Sequence, residues 1–132
     1  MTILLDTHAL IWWVASPREL SARASRAIRT AAAQHALIAS AISVFEITTA
    51  CRRGRLQFTV PVDTWLDALQ SLPELRIEPV TDRIARMAGT FDDAAPGDPA
   101  DRIIAATAMT CRARLVSADQ RLRKWKQVRT VW

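Results

Sequence analysis

Four carboxylates stand in short contexts that invite chemistry: Asp6 in "ILLDTHAL", Glu46 in "ISVFEITTAC", Asp101 in "DPADRIIAATAMTC" and Asp119 in "LVSAD". Each has an ordinary reading when taken alone. "SVFE" is a capping-box pattern in which Glu46 reaches back to the backbone at Ser43. "DPAD" reads as Asp98 at an N-cap, Pro99 at the first helical position and Asp101 near the third. Asp6 and Asp119 each precede a helical pattern that they could cap. Gathered at one place, however, the acids pose an electrostatic problem. Two carboxylates about 4 Å apart repel by roughly 4 kcal/mol at an effective dielectric near 20. A hard divalent cation removes that cost, because Mg²⁺ and Mn²⁺ prefer oxygen ligands. Such a pocket suits metal-assisted phosphoryl transfer or hydrolysis.

Other chemistries find less support. Zinc is disfavoured, because there is no His or Cys cluster, and the single His8 beside Asp6 suits a structural or exposed role. Gly54, Gly89 and Gly97 are isolated, so no Walker-type phosphate loop exists. Neither His8 nor His35 lies near a nucleophile-elbow motif. A receiver-like signalling module also gathers acids at strand ends. It wants paired acids early and a lysine after a late strand, whereas "DTH" offers one acid and the only lysines are Lys124 and Lys126.

The elements that must position these acids alternate between short apolar strands and helical patterns, the signature of a parallel α/β sheet. Residues 2–5, 36–40, 75–80 and the run before "SAD" read as four strands, and "VRTVW" as an edge strand. Helices are expected over about 8–15, 19–33, 42–53, around Trp65, around Met87, from "DPAD" onward, and in a short basic stretch near the end. Gly54 is the expected C-terminal cap of the third of these. In such sheets ligands bind at the carboxyl ends of the strands. Asp6, Asp101 and Asp119 would share that edge, and Glu46 could project into it from its helix.

The totals fit one domain spanning residues 1–132, large enough for its own core. The apolar runs are too short to cross a membrane, and the start lacks a secretory pattern, so a cytoplasmic location is expected. Cys51 and Cys111 read as buried reduced thiols. The net charge is +5, and its excess lies in "RLRKWKQVRTVW", with Arg121, Arg123, Lys124, Lys126 and Arg129 and no acid. That segment could meet a polyanion such as RNA, or simply be a solvated edge. Trp12, Trp13 and Trp65 suit core or subunit contacts, and Trp125 and Trp132 suit packing or base stacking.

"LLDTHALIWW", "SAISVFEI", "DPADRIIAATA" and "LVSAD", in that order over nearly the whole chain, resemble PIN-domain ribonucleases. More narrowly, they resemble the VapC-type toxins of toxin–antitoxin systems. The resemblance implies a three-layer α/β/α sandwich with a central, mainly parallel sheet of four to five strands. It also implies Mg²⁺-dependent endonucleolytic cleavage of RNA, with Mn²⁺ as a substitute, by a homodimer. A cognate VapB-type antitoxin would cover the acidic site, in a heterotetramer or larger assembly. Carried over by position, the metal-binding and catalytic quartet is Asp6, Glu46, Asp101 and Asp119, with Thr7 and Ser117 as accompanying hydroxyls. "SAD" stands where the family commonly has T-x-D, which keeps the hydroxyl but leaves Asp119 the least secure of the four. The rival reading is a catalytically inactive PIN-like module that binds RNA or protein, with the receiver-like domain behind it.

Overall fold

A computed structural model describes residues 1–132. Five parallel strands form one sheet: β1 (Ile3–Leu5), β2 (Leu37–Ser40), β3 (Leu75–Glu78), β4 (Arg114–Val116) and β5 (Thr130–Val131). Their spatial order is β3-β2-β1-β4-β5, so β1, first in the chain, lies at the centre. Ile3, Leu4 and Leu5 pair with Leu37, Ile38 and Ala39 on one side and with Arg114, Leu115 and Val116 on the other. All three β1 residues are buried, as expected of a strand covered on both faces.

The helices are α1 (Thr7–Ala15), α2 (Ala22–Ala33), α3 (Ala41–Arg52), α4 (Val62–Gln70), α5 (Asp82–Thr90), α6 (Pro99–Thr110) and α7 (Gln120–Lys124). Successive side chains of a strand point to opposite faces, and the two cores follow that rule. Ile3 and Leu5 pack with Leu10 of α1, Ile28 of α2 and Leu69 of α4. Leu4 and Ile38 pack on the other face with Ile104 of α6 and Leu122 of α7. The result is the three-layer α/β/α sandwich anticipated above.

Some local expectations need correction. The helix expected over 19–33 begins later, because Pro17–Glu19 forms a separate 3-10 turn and Ser21 caps α2 through the Ala24 amide. Cys51 and Cys111 are free but only half-buried. The packing reading of the last two tryptophans holds, with Trp125 in the core edge-on against Phe91 and Trp132 against Trp12. Gly54 does sit just past α3 with φ +71°, and the Arg55 amide reaches back to the Ala50 carbonyl. His35 and Arg112 occupy the same left-handed position after α2 and α6, with φ +53° and +52°. Ala36 and Ala113 close those turns by donating to the carbonyls of Ala31 and Ala108, both at 2.8 Å.

Candidate active site

Strand order reverses across the β1–β4 pair, and a crevice at such a switch point is where open α/β sheets bind ligands. Asp6 follows β1 directly, and Ser117 to Asp119 follow β4. The order also excludes the receiver-like alternative, whose sheet runs 2-1-3-4-5. A cleft of about 1380 Å³ opens at this edge. It is lined by all four acids, and by Thr7, His8, Trp12, Phe45 and Asp98.

Each acid is held by its own neighbourhood. Asp6 is 7% exposed and caps α1, with its Oδ1 accepting from the Ala9 amide at 2.9 Å. Burial raises its pKa, opposed by hydrogen bonds from Ser117 and Ala9 and by nearby His8, while Asp119 adds to the rise. The Ser117 hydroxyl is itself fully buried and accepts from the Asp119 amide at 3.0 Å, so it ties the two strand ends together. Asp119 caps α7 through the Arg121 amide at 2.8 Å. The helix-cap readings of Asp6 and Asp119 are thus correct for one oxygen of each, and do not preclude a second role.

Glu46 departs from the capping-box reading. The N-cap of α3 is Ser40, whose hydroxyl accepts from the Ile42 amide, and Ser43 is buried inside the helix. Thr7 donates to Glu46 Oε1, and the Ser43 hydroxyl lies 2.8 Å from Thr7 Oγ1. Since the Thr7 proton is committed to the carboxylate, Ser43 must be the donor to Thr7. This relay aims Glu46 into the cleft. Burial raises the Glu46 pKa, Thr7 opposes it, and the charges of Asp98 and Asp6 add to the rise.

Asp101 sits in the first turn of α6, where Asp98 Oδ2 accepts its amide at 3.1 Å, so the cap reading of Asp98 holds. Its carboxyl is pushed up to about 7, first by burial and then by the charges of Asp98, Asp119, Glu46 and Asp6. Four other acids therefore bear on Asp101 across this cleft. No salt bridge neutralises any of them, because the chain's only ion pairs are Arg76–Glu78 and Arg86–Asp82. No three His, Cys, Asp or Glu side chains stand close enough together to enclose an ion. A hard divalent cation brought to this cleft would meet carboxylate oxygens as its ligands. The donors are all hard oxygens, so the residues fit such an ion by chemistry.

Three arginines were not assigned to this site from the sequence. Arg52, Arg53 and Arg55 line the same cleft beyond Thr48 and Thr49. Arg52 and Arg53 read naturally as partners of the α3 dipole, and nothing in their spacing announces the cleft. The basic C-terminal segment, by contrast, contributes no residue to the lining.

The PIN domain family matches residues 3–127 of the chain. Ribonuclease VapC22 of Mycobacterium tuberculosis is 42% identical over 135 residues, covering 99% of this chain and 98% of that protein. Among solved structures, VapBC2 from Rickettsia felis bound to a promoter DNA fragment is similar with a TM-score of 0.73 and 15% identity. That match covers 98% of this chain and 97% of the other. FitAcB from Neisseria gonorrhoeae is similar with a TM-score of 0.68 and 22% identity, over 98% and 96% of the two chains.

Proposed function

The chain belongs to the PIN-domain family, and from that premise we propose that it is a Mg²⁺-dependent endoribonuclease serving as the toxin of a VapBC-type pair. The observation that carries the reading is the set of unneutralised carboxylates at the strand-order switch, where Asp98, Asp119, Glu46 and Asp6 together press on Asp101. A cognate VapB-type antitoxin is the proposed partner, supported by toxin–antitoxin complexes among the structural relatives.

Asp6 and Asp101 would hold the metal, with Glu46 and Asp119 completing the site or positioning the attacking water. When bound, Mg²⁺ supplies charge withdrawal from the scissile phosphate and lowers the pKa of water. The chain's own contribution is placement. Ser117 keeps Asp6 and Asp119 at adjoining strand ends, Thr7 orients Glu46, and Asp98 fixes the first turn beneath Asp101.

The experiment is direct. Purified protein given single-stranded RNA should cleave it in Mg²⁺ or Mn²⁺, stop in excess EDTA, and recover when Mg²⁺ is restored. Undiminished cleavage in EDTA removes the metal from the mechanism. RNA binding with no cleavage under any divalent cation establishes the inactive-module reading instead.

The cleft arginines carry a second expectation. Changing Arg52, Arg53 and Arg55 together to Gln should flatten the salt dependence of binding to short single-stranded RNA in EDTA. Each phosphate left without its cation lowers the log–log slope by about 0.7, or roughly 2 for all three. The same change at Arg121, Arg123 and Lys124 should leave that slope unaltered. The opposite outcome would move the phosphate track to the C-terminal segment.

A further inference from the structure

The far end of the sheet carries a second charged concavity. A pocket of about 380 Å³ lies between the C-terminal end of α6 and the turn leading into β5. Its wall is formed by Arg112, Arg114 and Arg129, over an apolar floor that includes Ala108, Met109 and Val128. No acid lines it. None of the three guanidinium groups is in an ion pair, since the chain's ion pairs use Arg76 and Arg86.

The backbone adds an independent observation. Arg112 holds φ +52°, a left-handed conformation that disfavours a non-glycine residue. Glycine is the usual occupant of that position after a helix, as Gly54 is after α3. His35 bears the same strain but has a local purpose, with its Nδ1 3.3 Å from the Pro73 carbonyl. Arg112 has no comparable hydrogen bond within the chain. Its turn therefore keeps a strained, charged, unpartnered side chain beside two others of like charge. The turn itself is closed by Ala113 donating to the Ala108 carbonyl, so what Arg112 leaves unsatisfied is its side chain.

We infer that Arg112, Arg114 and Arg129 form a phosphate-binding site for a second segment of the RNA substrate, an inference that rests on the ribonuclease reading above. Helix α6 separates the two sites. Asp101 lies in its first turn and Arg112 just beyond its last, and at 1.5 Å per residue that is about 16 Å along the axis. A strand of only two or three nucleotides held in the cleft does not span that distance. An RNA large enough to pass along the side of the domain can engage both. The pocket therefore contributes affinity for an RNA long enough to reach both sites, without touching the reacting phosphate.

The test compares two RNAs with one variant. The triple variant R112Q/R114Q/R129Q and the parent are titrated in EDTA with a transfer-RNA-sized folded RNA and with a single strand of about three nucleotides, too short to leave the cleft for the pocket. Removing three phosphate-binding cations should lower the salt slope for the folded RNA by about 2–3 and weaken its binding about tenfold or more near 0.15 M salt. Binding and Mg²⁺-dependent cleavage of the short strand should match the parent. Equal binding of the folded RNA by variant and parent overturns the inference, as does an equal loss for both RNAs. Competition by poly-glutamate that the variant alone escapes, with RNA binding intact, would assign the pocket to an acidic protein segment and also overturn it. Should the triple variant fold poorly, Arg129→Gln alone should still lower the slope by about 0.7–0.9. A parent that cuts neither RNA refutes the ribonuclease reading, whereas a parent that cuts both beside an indistinguishable variant refutes only the second site.

Discussion

Asp101→Asn should lower RNA cleavage by about a hundredfold or more while making the metal-free protein more stable at pH 8. The two effects have one cause. Asp101 is lifted from 3.8 to about 7 by burial and by four neighbouring carboxylates. Between those values the folded chain holds a proton that the unfolded chain releases. Stability of the metal-free parent therefore falls as pH rises from about 4 to 7, and levels off above that. Asn carries no charge, so the variant should lack this contribution to the slope. The group is only half-buried, and solvent screening reduces the gain to on the order of 1 kcal/mol. Denaturant titrations of parent and variant at pH 5 and pH 8 check this, beside cleavage assays in Mg²⁺. A stability gain as large at pH 5 as at pH 8 would refute the repulsion account. Retained cleavage would remove Asp101 from the site. Asp6 offers a useful contrast, because its Oδ1 also caps α1. Asn at position 6 keeps that acceptor, whereas Ala loses about 1 kcal/mol of capping as well.

Arg102→Met should cost roughly 2–4 kcal/mol and lower Tm by roughly 10 °C. Arg102 follows Asp101 but turns the other way, into the connection between α5 and α6. Its Nε donates to the Ala88 carbonyl at 3.0 Å and its Nη1 to the Pro96 carbonyl at 3.1 Å. Its Nη2 donates to the Phe91 carbonyl, and the guanidinium stands 5.7 Å from the Phe91 ring centre. One side chain thus gathers the carbonyls of a segment that otherwise has few partners, and sets where Asp98 and the start of α6 lie. Met fills similar volume but donates nothing, so the carbonyls lose their partner. Arg102→Lys should recover only part of the loss, since a single ammonium lacks the fork that reaches several carbonyls. A Tm within about 2 °C of the parent for Arg102→Met would refute this role.

The acids were legible because each sits at a boundary that the sequence marks twice, by hydrophobic pattern and by local motif. "ILLD" ends a buried strand on a charge, and "LVSAD" does the same beside a small hydroxyl. The relation among them needed topology, and the alternation of strands and helices supplied it. What stayed hidden depends on side chains meeting across elements. "SVFE" satisfies the capping-box pattern, yet the helix starts one turn earlier at Ser40, and Glu46 answers to Thr7 from a different helix. The cleft arginines were masked by an adequate local explanation at the end of α3. The basic tail stayed open between a polyanion contact and a solvated edge, since a run of charge is conspicuous in sequence whichever way its side chains face. Arg102 looked like one more surface cation beside a motif, and only the fold of the preceding loop gives it its partners.

The central position of β1 has a consequence for when the enzyme comes into being. Asp6 leaves the ribosome early, but β1 finds one of its two neighbours only when β4, at residues 114–116, has been made. Asp119 comes later still, and β5 closes the edge at residues 130–131. At about 5–20 residues per second, the early acids wait several seconds or more for their counterparts. Until then a nascent chain has no assembled cleft with which to cut RNA. Cleavage becomes possible only after the last strands have emerged, which leaves a partner made beforehand time to be waiting for them.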